Sequence, residues 1–98
     1  MAVQIDPEGH EKVALLDFVG DLAGKQVLEI GCGNGRLTQH YAHLPAHTIG
    51  IDPNADRIQK AQQTLPLHLF NRVDFRVGAI EAYQPPHPFD LIIFSWSL

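Results

Sequence analysis

The glycine-rich segment at residues 31–35, with the sequence GCGNG, constrains the fold of this chain more than any other feature. It comes directly after a short apolar run at 26–30, and apolar residues resume at helical spacing behind it. An apolar run that stops at glycines is typical of a strand that enters a tight loop. The segment therefore predicts a strand, a glycine loop and a helix in direct succession.

Further strands are predicted at 47–51, 73–77 and 90–95, where apolar runs are bounded by turn residues. The run at 73–77 alternates apolar and polar residues, which predicts a strand buried on one side near a sheet edge. The consecutive apolar residues at 91–94 instead predict a central strand that is covered on both faces.

Helices are predicted between these strands. Apolar residues recur at helical spacing over 8–22, and Gly24 behind them tolerates the positive φ common at a helix C-terminus. A second helix follows the glycine loop and is stopped by Pro45, and a third begins behind Asn54, a suitable N-cap. Strands that alternate with helices predict an α/β fold, with a parallel sheet, right-handed crossovers and ligands at the carboxyl ends of the strands.

Composition limits the chain, residues 1–98, to a single small globular domain. Apolar residues make up 45% and charged residues 18% of the chain, and its net charge is −4. The seven basic residues are scattered, so we expect no direct nucleic-acid partner. One cysteine, no signal-like N-terminus and no apolar run long enough for a bilayer predict a cytoplasmic protein without a membrane segment.

An acidic residue at the end of the second predicted strand completes a nucleoside-binding pattern. Asp52 follows Gly31 by 21 residues, the length expected of one strand–helix–strand unit. Glycine lets a ligand approach the backbone closely, the start of the helix offers free N–H groups, and a carboxylate accepts hydrogen bonds from both hydroxyls of a ribose. Both dinucleotides and S-adenosylmethionine fit this pattern.

Two residues discriminate between these ligands. A dinucleotide fingerprint requires glycine at the sixth position counted from Gly31, where this chain has Arg36. Glu29 would be repelled by a pyrophosphate by about 1–4 kcal/mol at about 4 Å, whereas the ammonium and sulfonium groups of S-adenosylmethionine would attract it. Both observations favour S-adenosylmethionine, and a nicotinamide- or flavin-binding oxidoreductase half-domain is the alternative.

At residues 27–38, 50–54 and 89–95 the chain resembles class I S-adenosylmethionine-dependent methyltransferases. The stretch VLEIGCGNGRLT is similar to the first motif of the family, GIDPN to its acidic second-strand motif and FDLIIFS to its fourth-strand motif. The resemblance implies a Rossmann-like three-layer sandwich with the parallel strand order 3-2-1-4. Because the family has about three more strands, we expect a chain truncated after strand 4 that supplies the cofactor-binding half of a methyltransferase.

The resemblance also implies a set of cofactor-binding residues. Glu29 and the backbone of Gly31 would face the amino-acid end of S-adenosylmethionine, while Asp52 would hold the ribose and Pro53 would lie against the adenine. The full predicted set is Glu29, Gly31, Cys32, Gly33, Gly35, Asp52, Pro53, Ala79, Ile80 and Ser95.

One position of this set departs from the pattern of many relatives. They have aspartate, which accepts a bond from the adenine amino group, where this chain has Ala79. That contact is therefore absent, made by Glu81 or replaced by water. Ile80 can still pack on the ring.

Other reactive side chains have simpler interpretations. Cys32 has no evident base beside it, so we expect a small, partly buried side chain rather than a nucleophile. His40 and His43 are spaced i, i+3 but lack a third ligand, so we expect surface histidines and no metal site. Trp96 either lines an acceptor pocket or packs under a lid.

The resemblance assigns no catalytic residue, because in this family the general base usually comes from beyond the fourth strand. We expect a small-molecule methyl acceptor. A two-sided apolar strand at an open sheet edge is an aggregation hazard, which predicts a homodimer through residues 90–98. A non-catalytic nucleoside-binding or assembly module is a further alternative.

Overall fold

One parallel sheet of five strands organises the part of the chain that the computed structural model describes, residues 2–5 and 22–95. The strands lie in the order β1-β5-β2-β3-β4, and they are β1 (Ala2–Ile5), β2 (Gln26–Ile30), β3 (His47–Asp52), β4 (Val73–Val77) and β5 (Leu91–Ser95). The four strands predicted from the sequence are β2 to β5. Their predicted order, 3-2-1-4, is confirmed, and so is the α/β fold class.

The sequence patterns do not predict β1. This strand pairs in parallel with β5, with Ala2 opposite Ile92 and Ile5 opposite Ser95. β5 is therefore an interior strand, and the expectation that its edge lies open is wrong. The homodimer through residues 90–98 was predicted from this open edge and from the two apolar faces of the strand; pairing with β1 removes the first of these grounds, and the dimer itself stays a prediction.

The register of the strands brings their carboxyl ends together. Ile30 at the end of β2 lies opposite Ile51 of β3 and Phe94 of β5, and Asp52 lies opposite Val77 of β4. Parallel strands in register end at the same edge of a sheet. The glycine loop, the end of β3 and the end of β5 therefore meet at one edge.

Two helices pack on one face of the sheet, α1 (Arg36–Tyr41) and α2 (Ala55–Thr64). α1 follows the glycine loop as predicted but ends before the predicted stop at Pro45. Asn54 caps α2 as predicted, since its side chain accepts the N–H of Arg57 at 3.1 Å. The buried apolar side chains of this face are Leu22, Val27, Cys32, Tyr41, Ala42, Ile58, Ala61, Leu69, Val73, Phe75, Leu91 and Ile93.

The predicted first helix, over 8–22, lies outside the described residues except for Leu22, which is buried. Gly24 has a φ of 76°, the positive φ predicted for it, while the helix before it stays a prediction. No helix within the described ranges is both long and apolar enough to cross a membrane.

The opposite face of the sheet carries a smaller apolar cluster. Leu28, Ile49 and Ile51 form this cluster, and Tyr83 and Phe89 from the connection between β4 and β5 pack against it. Within the described residues, the connection between β4 and β5 is the segment that packs on this face.

The sequence predicted the burial of two strands, β4 and β5, and the two predictions have different outcomes. β4 shows the predicted one-sided burial at a sheet edge, with Val73 and Phe75 buried. β5 was predicted to be covered on both faces, but Phe94 is 38% exposed while Ile93 is fully buried. The prediction therefore holds fully for the face that the helices cover and only in part for the other, where Ile92 packs against the smaller cluster but Phe94 stays exposed.

Candidate ligand-binding site at the carboxyl ends of the strands

The glycine loop folds back onto the end of β3. Gly31, Gly33 and Gly35 have φ angles of 80°, 58° and 81°, which residues with a Cβ rarely adopt. The N–H groups of Gly31 and Cys32 both donate to the carbonyl oxygen of Ile51, at 2.8 and 3.1 Å. Backbone hydrogen bonds therefore fix the position of the loop against the neighbouring strand.

Two of these glycines are also required by close neighbours. A Cβ on Gly31 would lie 2.3 Å from the backbone oxygen of Ser95. A Cβ on Gly35 would lie 2.8 Å from the ring of Phe75. The loop thus approaches β5 and β4 more closely than a larger residue permits.

Asp52 joins the glycine loop to the end of β3 through its carboxylate. Its Oδ2 accepts the N–H of Gly33 at 3.0 Å, and its Oδ1 accepts the N–H of Asn54 at 2.9 Å. The residue is 5% exposed. Because each carboxylate oxygen has two acceptor positions, both oxygens retain capacity for one further donor. Asp52 as the ribose-binding residue stays a prediction with which this geometry agrees.

Glu29, the second acidic residue of the predicted site, lies in a different environment. Its side chain is 0% exposed. Its Oε1 accepts hydrogen bonds from the hydroxyls of Thr38 and Tyr41, both at 2.6 Å, and its Oε2 accepts one from the hydroxyl of Ser95 at 2.8 Å. Burial raises the pKa of Glu29, and the three hydroxyl donors counteract part of that rise.

The contacts of Glu29 are with the protein itself. They join α1, which carries Thr38 and Tyr41, to the ends of β2 and β5. A contact between Glu29 and the amino-acid end of a cofactor stays a prediction.

Sequence reasoning missed Thr38 and Tyr41 as partners of Glu29. Tyr41 belongs to the apolar positions that predicted α1, yet its hydroxyl is buried and bonded to Oε1 of Glu29. A buried tyrosine hydroxyl needs a partner, and so does a buried carboxylate. An acid in a buried strand, followed by a tyrosine on the inner face of the next helix, was the signal that could have found this pair.

Ser95 closes the same end of the sheet. Its hydroxyl lies 2.8 Å from Oε2 of Glu29 and 2.9 Å from the carbonyl oxygen of Gly31. Since a hydroxyl has a single proton, it donates to one of these acceptors at a time. The structure therefore brings together three residues of the predicted set, Ser95, Glu29 and Gly31.

The residues predicted to lie near an adenine follow β3 and β4. Pro53 and Ile80 are exposed and Ala79 is partly buried. The N–H of Gly78 donates to the carbonyl oxygen of Asp52 at 3.0 Å, so the chain leaves β4 beside the end of β3. Both segments are thus adjacent to Asp52, while a contact with adenine stays a prediction.

The simpler interpretations of other side chains agree with their burial. Cys32 is buried and burial raises the pKa of its thiol, which agrees with a side chain that is no nucleophile, while its contact with a cofactor stays a prediction. His40, His43 and Glu81 are exposed. Among the residues that the structure describes, no three metal-ligating side chains lie together. Trp96 lies outside the described residues.

Comparison with known proteins identifies the family of this chain. The profile of a family described as a methyltransferase domain matches residues 21–98, most of the chain. The chain belongs to this methyltransferase family. The match includes the glycine loop, Asp52 and all of β2 to β5.

Curated relatives are similar over most of this chain. The ubiquinone biosynthesis O-methyltransferase of Nitrosospira multiformis is 35% identical over 86 residues, which cover 83% of this chain and 34% of the relative. The enzyme of the same name from Aromatoleum aromaticum is 38% identical over 82 residues, covering 79% of this chain and 33% of the relative. The chain thus spans about a third of the length of these curated relatives.

Solved structures of methyltransferases share the fold. Phosphoethanolamine N-methyltransferase 1 of Haemonchus contortus, in complex with phosphoethanolamine and S-adenosylhomocysteine, is 25% identical, with a TM-score of 0.78 over 92% of this chain and 19% of that one. Magnesium protoporphyrin IX methyltransferase of Synechocystis PCC 6803, with bound S-adenosylhomocysteine, is 27% identical, with a TM-score of 0.69 over 84% of this chain and 37% of that one.

Proposed function

We propose that this chain forms the S-adenosylmethionine-binding half of a class I methyltransferase that methylates a small-molecule acceptor. One structural observation carries the proposal: the glycine loop and Asp52 are joined at the carboxyl ends of β2 and β3, with the N–H of Gly33 3.0 Å from the carboxylate. Membership of the methyltransferase family supports it, as does the shared fold of two methyltransferases solved with S-adenosylhomocysteine.

The residues at this edge of the sheet fit S-adenosylmethionine. Gly33 has no side chain to obstruct a ligand that approaches the loop backbone. The remaining acceptor positions of Asp52 suit the two hydroxyls of a ribose. Pro53 and Ile80 are exposed apolar side chains beside Asp52 and suit the flat adenine ring.

The contribution of this chain to catalysis is binding and orientation. S-adenosylmethionine, when bound, supplies a methyl group on a positively charged sulfur. Asp52 would hold the ribose, and the glycine loop would support the amino-acid end, so that the methyl carbon is held in line with the acceptor. Fixing two reactants in line supplies much of the rate of such a displacement. We assign no catalytic base within the described residues.

We propose a hydroxyl oxygen of a small molecule as the methyl acceptor. The curated relatives named above are O-methyltransferases of ubiquinone biosynthesis, which supports an oxygen nucleophile on a small metabolite. We further propose the cytoplasm as the compartment of the protein, a prediction that rests on the sequence alone.

Calorimetric titration separates this function from binding of a dinucleotide. The folded protein is expected to bind S-adenosylhomocysteine saturably, whereas NADH and FAD, as matched nucleotide controls, should give no saturable heat. Binding of NADH or FAD without binding of S-adenosylhomocysteine would overturn the proposal. A second assay, transfer of radiolabelled methyl groups by the full-length protein, then tests catalysis: cofactor binding without transfer to any small hydroxyl compound would indicate a non-catalytic module.

A further inference from the structure

β4 forms the edge of the sheet opposite β1 and offers backbone groups to a further strand. The carbonyl oxygen of Arg72 accepts the N–H of Thr48, and the N–H of Gly78 donates to the carbonyl oxygen of Asp52. Even-numbered residues therefore point their backbone groups towards β3. Because these directions alternate along a strand, Val73, Phe75 and Val77 point their N–H and C=O groups outwards.

A side chain covers the middle of this edge only in part. The side-chain amide of Gln62 in α2 donates to the carbonyl oxygen of Phe75 at 3.0 Å. A side chain that bonds one edge carbonyl is a weak form of the protection that edge strands need against unwanted pairing. A competing backbone N–H can displace this bond without disturbing the ladder between β3 and β4.

The sequence of β4, VDFRV, is self-complementary about its central residue. In an antiparallel pair with a second copy, centred on Phe75, each Asp74 stands opposite Arg76 of the other copy. Each Val73 likewise stands opposite Val77 of the other copy. Directly opposite residues of antiparallel strands have adjacent side chains, so opposite charges there attract.

The charges of this strand are positioned for such a pair. Asp74 and Arg76 lie on the same face of β4 and form an ion pair within the strand, with Nη2 and Oδ2 2.6 Å apart. Both side chains remain accessible, at 37% and 63% exposure. A second copy would therefore add two cross-strand ion pairs without uncovering a buried charge.

Apolar groups beside the edge add to the complementarity. Val77 is 56% and Phe70 is 55% exposed, although both are large apolar residues. A cavity of about 220 Å³ opens between α2 and β4, lined by Gln62, Leu65, Phe70, Val73, Asp74 and Phe75. The antiparallel pair would place the exposed Val77 of the second copy beside Val73, at the wall of this cavity.

We propose that the edge of β4 is a homodimer interface, at which a second copy of this chain adds its own β4 in antiparallel register centred on Phe75. One sheet would then continue across both copies, related by a two-fold axis. This interface does not depend on the proposed function, and it lies at the edge opposite β1, away from the paired edge of β5.

Charge reversal tests both the interface and its register, and sedimentation velocity of the full chain measures the outcome. Asp74→Arg makes every cross-strand pair positive, and Arg76→Asp makes every pair negative. Each variant alone should dimerise about tenfold more weakly than the wild type, because like charges stand opposite each other. An equimolar mixture should recover dimers that contain one copy of each variant. Asp56→Arg, an exposed acid on α2, is the control and should leave the dimer unchanged.

Two further variants test the backbone part of the interface. Val77→Pro removes an outward N–H but no bond to β3, and should abolish the dimer while circular dichroism remains that of the wild type. Gln62→Ala frees the carbonyl oxygen of Phe75 and should strengthen the dimer. A wild-type protein that stays monomeric at every concentration overturns the proposal and leaves the edge to a different partner. A dimer that responds neither to charge reversal nor to Val77→Pro also overturns it, since pairing would then lie elsewhere.

Discussion

The two acidic residues at the ends of β2 and β3 are both buried but have different hydrogen-bond partners. Glu29 is 0% exposed and bonded by three side-chain hydroxyls, whereas the carboxylate of Asp52 accepts two backbone N–H groups beside the loop and retains acceptor capacity. We infer that Glu29 stabilises the fold beneath the loop and that Asp52 contacts the ligand. The spacing of an acidic residue from a glycine loop does not show whether the residue binds a ligand or stabilises the fold. Its hydrogen-bond partners in the structure separate these two roles.

The largest effect should come from Glu29→Ala. This change leaves the hydroxyls of Thr38 and Tyr41 without their acceptor in a buried cavity, while Ser95 can still donate to the carbonyl oxygen of Gly31, and should cost about 3–5 kcal/mol of unfolding free energy. Glu29→Gln is the matched control, because its amide oxygen still accepts and its amide N–H₂ donates to Ser95. It should cost only about 1–2 kcal/mol. Urea denaturation measures both, and equal losses would contradict the role given to the hydroxyl donors.

The next largest effect should come from Gly31→Ala. The new Cβ would lie 2.3 Å from the carbonyl oxygen of Ser95, and the φ of 80° disfavours alanine. Strain and overpacking together should cost about 2–4 kcal/mol. Gly78→Ala is the control, since nothing lies within 4 Å of its Cβ position and its effect should stay within about 0.5 kcal/mol. Thermal unfolding of the two variants compares them, and similar melting temperatures would refute the close approach of loop and strand.

A smaller effect should appear in the pH dependence of stability. Burial raises the pKa of Glu29 above its ordinary value of 4.5, so the folded chain binds this proton more tightly than the unfolded chain. The tighter binding of this proton stabilises the fold fully at a pH below the ordinary pKa. This stabilisation is lost as pH rises through the raised pKa of the folded chain. Relative to Glu29→Gln, the wild type should therefore lose stability as pH rises from below 4.5 to neutrality. If the unfolding free energy of the wild type relative to Glu29→Gln stays constant or increases with pH, the hydroxyl donors affect the pKa of Glu29 more strongly than burial does.

The sequence predicted the fold well where its signal is local. The bounds of β2 and β4, the N-cap at Asn54 and the buried state of Cys32 follow from periodicity, capping and the lack of a nearby base. β1 was not predicted, since a four-residue strand at the start of a chain has too few residues to show a period.

The site was predictable in part. The meeting of the glycine loop with Asp52 follows from topology, because parallel strands bring their carboxyl ends to one edge. The partners of Glu29 did not follow, because three hydroxyls from α1 and β5 reach it only through tertiary packing. The requirement for glycine at Gly35 likewise depends on the ring of Phe75, 40 residues further along the chain.

Calorimetric titration of S-adenosylhomocysteine into the wild type, Asp52→Asn and Asp56→Asn tests the central claim most directly. Each variant removes one negative charge. Asp56 lies exposed in the first turn of α2 and is not bonded to the glycine loop as Asp52 is. Asp52→Asn should weaken binding about tenfold or more, because the charge of the ribose acceptor is lost and the new amide N–H₂ must face the N–H of Gly33 or Asn54. Asp56→Asn should bind as the wild type does. Equal affinity of a folded Asp52→Asn variant and the wild type would contradict the assignment of Asp52 to the ligand.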